Sequence, residues 1–462
     1  MIRIYLDWNV YSNMRKRQSI LFEEIESYLN THSDSITLVY SPAHLQDLKR
    51  SYFQSEKGKI ETIKDLEFLG EMTNDHCLCY ETKKKSVYPN ILSPALYFQD
   101  VFVKNKDLNF LDFENIFDED FLNPSAYSRI VSTPNFSKQS KLGKLLFYDP
   151  IMSKDFTKTC ATCHNPKLAF TDGMKVMLED QPSSQSNRNT PTLINSIYSK
   201  QYFHDMRASK PDLQVDHVVY NDEEFNIDYS ELINRLTSNE AYSDLFSEAF
   251  SDNKQPITRY TITTSITQYM TSLSGFDSPF DRYMRDETAD LDGDVIKGFN
   301  LFMGKGACGS CHFSPTFSGL VPPGFEESES EILGILATND FDRPILDQDP
   351  GRMQNGNLKE ASEIYHRSFK TPTVRNVSLT APYMHNGVHT TLEEVLTFYN
   401  NGGGQGMGLN VPYQTLPPDS LGLTTTEQNQ IIRFMESLID TVGMTSIPQL
   451  PDSSKQDQNI GK

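Results

Sequence analysis

Two cysteine pairs, each followed directly by a histidine, are the residues of this chain best suited to chemistry. The two copies of the pattern are Cys160, Cys163, His164 and Cys308, Cys311, His312. Cys-x-x-Cys-His is the attachment signature of c-type haem, in which both thiols add across the vinyl groups and the histidine can bind the iron. The sequence therefore predicts two covalently held haems and a redox function.

A structural zinc site is the alternative interpretation, because two cysteine pairs supply the four thiolates of one tetrahedral centre. Zinc pairs usually lie about 15–20 residues apart, whereas Cys160 and Cys308 are separated by 148 positions. Each pair also carries its own histidine in the haem position, which a site of four cysteines does not need. The spacing favours haem.

Length and charge limit the classes of protein that fit. At 462 residues the chain is long enough for two or three domains. A net charge of -20 repels phosphates, so nucleic acid is not expected as a partner of the haem region. The same charge would favour a basic protein partner, such as a small cationic cytochrome. No apolar run approaches the roughly 18 residues of a membrane span.

The elements that must position the haem motifs read as helices. Amphipathic patterns predict helices at Gln139–Phe147, Leu232–Phe250 and Ile257–Leu273, with Gly275 as the stop of the third. On the third helix a single stripe joins Ile262, Ile266, Tyr269 and Leu273.

Two later helices begin with a threonine placed three residues before a glutamate, the pattern of a capping box. The pairs are Thr390 with Glu393 and Thr424 with Glu427. Between the second haem motif and these helices, residues 320–367 are acidic and rich in turn formers, which predicts a long loop.

Residues 1–125 have a different pattern. The segments predict alternating short strands and helices: strands at Ile2–Leu6 and Ile36–Tyr40, and helices at Ile20–Leu29 and Ile60–Leu69. This rhythm is typical of a small α/β unit.

With the haem motifs in their setting, the chain resembles the bacterial di-haem cytochrome c peroxidase and MauG superfamily. The resemblance covers residues 124 to 442 approximately and depends on five segments: Leu142–Pro150, Cys160–Asp172, Arg188–Leu193, Phe369–Asn376 and Thr380–Tyr383. It implies a mainly α fold with two cytochrome c-like haem modules, preceded by the α/β segment.

We therefore predict four regions along the chain. They are an α/β segment at 1–125, an N-terminal peroxidatic haem module at 126–290, a C-terminal electron-transfer haem module at 291–442 and a disordered tail at 443–462.

The resemblance implies that the first haem reacts with hydrogen peroxide and that His164 is its proximal ligand. Many peroxidases of the family close the opposite position with a histidine from the loop that follows the motif. Here residues 165–187 contain no histidine. We expect a five-coordinate first haem without prior reduction, as in MauG-like enzymes, and reduction of peroxide to water.

Gln214 and Glu224 match the family's distal glutamine and glutamate in order and in spacing. Peroxide cleavage needs a group that moves a proton from one oxygen to the other, so Glu224 is the expected acid–base. Gln214 would orient the peroxide. The proline usual between them is replaced by Val218.

The second haem would take His312 as its proximal ligand. Family peroxidases place a distal methionine eight residues after the threonine of the Thr-Leu-Glu helix, and counting from Thr391 gives Tyr399. MauG-like proteins have tyrosine here, and an oxygen ligand predicts a low reduction potential. Met407 and Met384 are the alternative ligands, and a buried core tyrosine is the alternative role.

A tryptophan usually lies between the two haems of the family. The matching position is His204, and the single tryptophan of the chain is Trp8. We expect either that His204 or Tyr202 bridges the haems or that the coupling between them is weaker.

A calcium ion between the modules is also typical of the family. The matching positions are Asn189, Thr380 and Pro382, the last two through backbone carbonyls, which suit a hard cation.

The resemblance implies an external electron donor, either a small cytochrome or cupredoxin or, in the MauG-like variant, an oxidisable protein side chain. A non-enzymatic di-haem electron carrier is the alternative. Attachment of c-type haem predicts a periplasmic location, yet residues 1–9 lack the apolar region of a signal peptide. One hypothesis is that the reading frame joins a cytoplasmic fragment to a cytochrome.

The opening segment Ile4–Val10 resembles the first strand of PIN-like nuclease domains, in which an aspartate at the strand end helps to hold a divalent metal. Asp7 and Asp47 are the matching acidic residues. The alternative function is a metal-dependent nuclease at 1–125. No later acidic pair completes the pattern, so an intact nuclease is not expected.

Overall fold

The computed structural model describes most of the chain from residue 137 onward and separate stretches before it. The described residues are 2–5, 11, 14–16, 20–32, 36–40, 45, 48, 52, 56–74, 76–81, 86–91, 93–98 and 137–451, without 177–187, 286, 289–290, 322–324, 326, 356–361 and 441–445. Two compact units form: residues 1–112 with 410–419, and residues 113–409 with 420–462. The predicted boundary at residue 125 and most of the predicted tail lie outside the described residues.

The smaller unit has the predicted α/β character. Its elements are β1 (Ile2–Tyr5), α1 (Ile20–Thr31), β2 (Ile36–Val39), α2 (Glu56–Thr73), β3 (His76–Glu81), β4 (Ser86–Ile91) and α3 (Pro94–Phe98). Strands β1 and β2 pair in parallel, with Ile2 opposite Ile36, and α1 makes the crossover between them. Strands β3 and β4 form an antiparallel hairpin that the sequence pattern did not predict.

The larger unit is mainly helical, as predicted. Its helices are α4 (Lys138–Tyr148), α5 (Cys160–Cys163), α6 (Pro211–Tyr220), α7 (Tyr229–Ser238), α8 (Glu240–Ala249), α9 (Arg259–Ser272), α10 (Pro279–Met284), α11 (Gly293–Met303), α12 (Leu392–Asn400), α13 (Gly403–Gly406) and α14 (Thr425–Glu436). Two short antiparallel strands, β5 (Ser330–Ile332) and β6 (Ser368–Lys370), complete it. None of the helices in the described part combines the length and apolar character of a membrane span.

The larger unit contains two separate hydrophobic cores. One core collects buried residues between 142 and 273, from helices α4 and α6–α9. The other collects residues between 280 and 438, from α10–α12 and α14, and includes five phenylalanines in mutual ring contact: Phe280, Phe299, Phe302, Phe317 and Phe434. We call the parts of the chain around these two cores the first module and the second module, respectively. Helix α10 packs in the second core.

Both modules are built around the same helix crossing. A Cβ atom added to Gly143 of α4 would lie 1.8 Å from the Ser265 carbonyl oxygen of α9. A Cβ atom added to Gly298 of α11 would lie 1.9 Å from the Gln430 carbonyl oxygen of α14. Each crossing therefore requires glycine at its closest point, and the two modules repeat one architecture.

A turn that lies between the two crossing helices in sequence is repeated as well. Asn195 and Asn376 both have left-handed φ angles, 59° and 57°. Each side-chain oxygen accepts a backbone N–H, from Gly275 at 2.8 Å and from Asp440 at 2.7 Å respectively. Asparagine tolerates this conformation better than most residues.

Three predicted helix details need correction or support. The predicted helix Leu232–Phe250 is two helices, because the Asn239 side chain accepts the Tyr242 N–H at 3.2 Å and caps a new helix there. Helix α9 ends at Ser272, before the predicted stop at Gly275. Its predicted stripe is buried as expected.

One of the two predicted capping boxes is displaced by a residue. Helix α12 is capped by Thr391 and Glu394, since the Glu394 carboxylate accepts the N–H groups of both Thr390 and Thr391 at 2.6 and 3.2 Å. The predicted box of Thr424 with Glu427 is confirmed.

Within the predicted loop at 320–367 the described residues are irregular apart from β5 and short turns, and charged contacts join them to the first module. Arg188 donates to both carboxylate oxygens of Asp349 at 2.7 and 2.8 Å and to Asp205 at 2.8 Å. The described part of the loop is thus joined to the first module by ion pairs.

Candidate functional site

The first cysteine pair lies on a single helical turn, α5, which is fixed at its start. Thr159 accepts the Thr162 N–H at 3.1 Å, and the Thr162 hydroxyl accepts the Thr159 N–H at 2.9 Å, which forms a reciprocal cap. The His164 N–H donates to the Cys160 carbonyl at 2.9 Å. The turn therefore brings both thiols and the imidazole to one place.

The His164 ring is held in one tautomer. Its Nδ1 lies 2.9 Å from the Phe170 carbonyl oxygen, and because a carbonyl only accepts, Nδ1 must carry the proton. Burial lowers the pKa of His164. The result is a neutral imidazole whose Nε2 is the unprotonated nitrogen, the form that binds a metal.

The second cysteine pair repeats this arrangement. The His312 N–H donates to the Cys308 carbonyl at 2.9 Å. His312 Nδ1 lies 3.0 Å from the Pro372 carbonyl oxygen and 3.3 Å from that of Phe317. Burial lowers the pKa of His312 to about 4, so it is neutral as well.

The thiols fit haem attachment better than zinc. Burial raises the pKa of Cys160 and Cys308 to about 12. The two pairs also belong to different cores. In the described part of the chain no three His, Cys, Asp or Glu side chains gather to hold a metal ion. The zinc alternative therefore lacks its geometry.

Glu224 lies close to the first cysteine pair. Its Oε1 accepts a hydrogen bond from the Asn221 side-chain amide at 2.8 Å. Burial raises the pKa of Glu224. Burial is also the main cause of the raised pKa of Cys160 and Cys163, and the charge of Glu224 adds to it for both. The carboxyl group and the two thiols thus share one environment.

Gln214 lies on helix α6, ten residues before Glu224. Its Oε1 is buried and has no hydrogen-bond partner among the described residues. An unpaired buried amide oxygen is costly, so a bound group that donates a hydrogen bond would satisfy it. Val218, at the position of the usual proline, is partly buried and packs against the first core.

Tyr399 lies near the second cysteine pair. Burial raises the pKa of its phenol, and the charges of Cys308 and Cys311 raise it further. Tyr399 and Cys308 both pack against the second core. Met384 and Met407, the alternative ligands, pack with Tyr399 in a smaller apolar cluster around Leu336 and Phe398.

His204 is placed at the junction of the two modules. Its Nε2 donates to the Asn189 carbonyl at 2.8 Å, and its own carbonyl accepts the Lys370 N–H of the second module at 2.8 Å. The Asn189 N–H donates to the His385 carbonyl at 2.7 Å. Burial lowers the pKa of His204 to about 3. Tyr202 is buried two residues earlier.

The predicted calcium ligands are Asn189 of the first module and Thr380 and Pro382 of the second. The Asn189 amide donates to the Met174 carbonyl at 2.8 Å, which leaves its side-chain oxygen available to a cation. Thr380 and Pro382 follow one another closely in the second module, on either side of Ala381. The calcium site stays a prediction. Asp7 and Asp47, the predicted nuclease residues, lie outside the described residues.

The sequence reading missed Asn221, which contacts Glu224 directly, and the Arg188 network at the module junction. Asn221 carried a readable signal, because an asparagine directly after a helix often binds the backbone that follows. The contact between Arg188 and Asp349 spans 161 positions, and no local pattern indicates it.

Comparisons with known proteins point in one direction. Residues 137–289 match the family model described as di-haem cytochrome c peroxidase. The chain is similar to the cytochrome-c peroxidase IdrP2 of Denitromonas iodatirespirans, with 30% identity over 345 residues, or 70% of this chain and 86% of the relative. It is also similar to the methylamine utilization protein MauG of Methylorubrum extorquens, with 29% identity over 334 residues, or 72% and 86% of the two chains.

The fold is similar to a solved structure, that of a MauG-like protein associated with microbial copper homeostasis. The TM-score is 0.58 and the sequence identity 24%, and the likeness covers 69% of this chain and 96% of that chain.

Proposed function

This chain belongs to the di-haem cytochrome c peroxidase family, and we propose on that basis that it reduces hydrogen peroxide to two water molecules with two electrons from an external donor and two protons. The observation that carries the proposal is the asymmetry of the two cysteine pairs. Glu224 lies beside the first pair and Tyr399 beside the second. The first centre would have a carboxyl group for proton transfer, and the second would have a phenol oxygen as an iron ligand.

The residues of the two turns fit two c-type haems. Cys160 and Cys163 would form the thioether bonds of the first, with His164 Nε2 as the iron ligand. Cys308, Cys311 and His312 would hold the second in the same way, because they have the same spacing. The haems supply iron and reversible electron storage, which no amino-acid side chain provides.

Glu224 is the proposed acid–base of the first centre. Its raised pKa brings the carboxyl closer to the pH at which it can both take up and release a proton. It would accept the proton of one peroxide oxygen and return it to the other, which leaves as water. The unpaired Gln214 oxygen would accept a hydrogen bond from the peroxide and so orient it.

Tyr399 is the proposed distal ligand of the second haem, in the manner of MauG-like proteins. Its location near Cys308 and Cys311 supports this role. Oxygen ligation favours the ferric state, so the second centre would have a low reduction potential. Met384 and Met407 lie in the same apolar cluster and are the competing ligands.

His204 is the proposed link between the centres, in place of the family's tryptophan. The hydrogen bonds from its ring to Asn189 and from Lys370 to its carbonyl join the two modules at this residue. We further propose a periplasmic location, a small cytochrome, cupredoxin or oxidisable protein side chain as the donor, and one calcium ion at Asn189, Thr380 and Pro382.

The test is peroxide-dependent oxidation of a reduced c-type cytochrome by the chain matured with haem in a periplasm. Two donor molecules should be oxidised per peroxide. His164→Ala should abolish the reaction while the second haem remains attached. If the matured wild-type chain binds two haems but consumes no peroxide with any of several donors, the carrier alternative replaces this proposal.

A further inference from the structure

We propose that Asn221 is a positioning residue that holds the Glu224 carboxylate in place at the first centre. The inference rests on the proposed function, because it assigns a partner to the proposed acid–base. Its ground is a direct contact of 2.8 Å between the Asn221 side-chain nitrogen and Glu224 Oε1.

The backbone of Asn221 is fixed at the end of helix α6. Its N–H donates to the His217 carbonyl at 3.1 Å. Its carbonyl accepts the N–H groups of Glu224 and Asn226, each at 3.0 Å. The Asn221 side chain therefore extends toward Glu224 from a backbone position that is held by hydrogen bonds.

The orientation of the Asn221 amide is also determined. Its side-chain oxygen accepts the Glu223 N–H at 3.0 Å. A backbone N–H can only donate, so the oxygen must face Glu223, and the NH₂ group must face Glu224. The amide thus presents a donor, and only a donor, to the carboxyl group.

A fixed donor has a defined effect on the acid–base. It binds the carboxylate more strongly than the carboxylic acid, so it opposes the rise in pKa that burial causes. The positive charges of Arg207 and Lys158 act in the same direction. Asn221 differs from them because it also holds one carboxylate oxygen at a known place.

Helix α6 carries Gln214, and Asn221 is the residue that caps its C-terminal end. Gln214 and Asn221 are seven positions apart, which is close to two helical turns, so they lie on the same face. Asn221 also lines a surface cavity of about 430 Å³, together with Asp216, His217 and Tyr220. Helix α6 and its cap therefore carry Gln214 and the residue that contacts Glu224.

The decisive variant is Asn221→Asp in the haem-loaded protein. Aspartate keeps the oxygen that caps the Glu223 N–H but replaces the donor that faces Glu224 with a second carboxylate oxygen. We expect the pKa of Glu224 to rise by about one unit or more. It is measured as the pH titration of the protonated carboxyl band in infrared difference spectra, identified by its loss in Glu224→Gln.

Peroxide turnover should fall by about 10- to 100-fold, and the pH profile should move to higher pH. Asn239→Asp is the matched control, because Asn239 also caps a helix of the first module with its side-chain oxygen but has no catalytic neighbour. It should leave the titration and the turnover unchanged. Asn221→Ser, which also keeps a capping oxygen without the amide donor, replaces Asn221→Asp if that variant folds poorly.

The outcomes separate the two proposals. An unchanged infrared titration in Asn221→Asp or Asn221→Ser would overturn the positioning role, whatever the turnover. A shifted titration together with full peroxide turnover in Glu224→Gln would instead overturn Glu224 as the acid–base. A shifted titration with reduced turnover in both variants supports both proposals.

Discussion

The first and second modules share a helical framework, but different side chains lie beside their cysteine pairs. Both cross two helices at an obligatory glycine, and both hold a histidine through a carbonyl oxygen at Nδ1. Beside the first cysteine pair lies the Glu224 carboxyl, and beside the second lies the Tyr399 phenol. The comparison shows that the parts that would hold a haem are separable from the side chains that would set its chemistry.

The modules also differ in the residue that fills one repeated position. Ile194 and Arg375 each precede the left-handed asparagine of the repeated turn, and both are buried. Arg375 donates to both oxygens of Asp281 at 2.8 and 2.6 Å and to the Pro315 carbonyl at 2.8 Å. At this position the first module has a buried apolar side chain, and the second module has a buried ion pair.

The largest expected effect separates the two centres. Glu224→Gln removes the exchangeable proton of the first centre, so peroxide turnover should fall by about 10²- to 10⁴-fold. Donor-dependent reduction of the second haem should stay unchanged, because that haem needs no proton transfer. The measurements are steady-state peroxide consumption and haem reduction.

The control for that variant is Asp222→Asn, which makes the same charge change at an exposed neighbouring residue. If peroxide turnover falls equally in both variants, the loss is caused by the removed charge acting at long range. The proposed difference between the two modules would then be wrong.

The second prediction concerns the buried ion pair. Arg375→Met leaves Asp281 buried without its partner, so the free energy of unfolding of the second module should fall by about 3–5 kcal/mol. Adding Asp281→Leu should recover much of that loss, since an apolar pair needs no desolvation. Denaturant unfolding measures both. If the double variant is no more stable than Arg375→Met, the pairing is not the cause.

The third prediction exchanges the ligand type of the second centre. Tyr399→Met should raise the reduction potential of the second haem by on the order of 100 mV, because thioether sulfur favours the ferrous state. The first haem should keep its potential. Spectroelectrochemical titration resolves the two. An unmoved second potential would exclude Tyr399 and direct attention to Met384→Leu and Met407→Leu.

The smallest expected effect is the pH dependence of stability that His389 contributes to the second module. Burial lowers the pKa of His389 from 6.5 to about 4, with Glu394 opposing the shift. Between these values the unfolded chain binds a proton that the folded chain does not, so stability falls as the pH falls, by at most about 1.4 kcal/mol per unit. His389→Asn should reduce this dependence in thermal unfolding measured from pH 7 to pH 4.

In that variant the asparagine amide can still donate to Asn339, which His389 Nδ1 contacts at 2.9 Å. An identical acid-side slope in the variant and the wild type would assign the dependence to other buried groups.

Local patterns predicted the framework well. Helices α4, α9 and α14 follow their apolar stripes, and the Thr424 capping box needs only residues within one turn. The break at Asn239 was missed because an amphipathic stripe can continue across a change of helix axis, and only the cap marks the division.

The site was predicted where it depends on spacing and missed where it depends on folding. Each cysteine pair and its histidine lie within five residues, so a local pattern identifies them, whereas Gln214 and Glu224 follow only from the resemblance to the family. The junction is different, because Arg188, Asp349 and His385 meet from parts of the chain far apart in sequence. Long-range contacts of this kind are not encoded in any local period.

Electron paramagnetic resonance of the matured ferric protein tests the central claim most directly. A first iron open to peroxide and a second iron bound by Tyr399, as proposed, would give one high-spin and one low-spin ferric signal of equal intensity. A spectrum with low-spin signals alone would show that both irons are closed to peroxide, and it would contradict the peroxidase account.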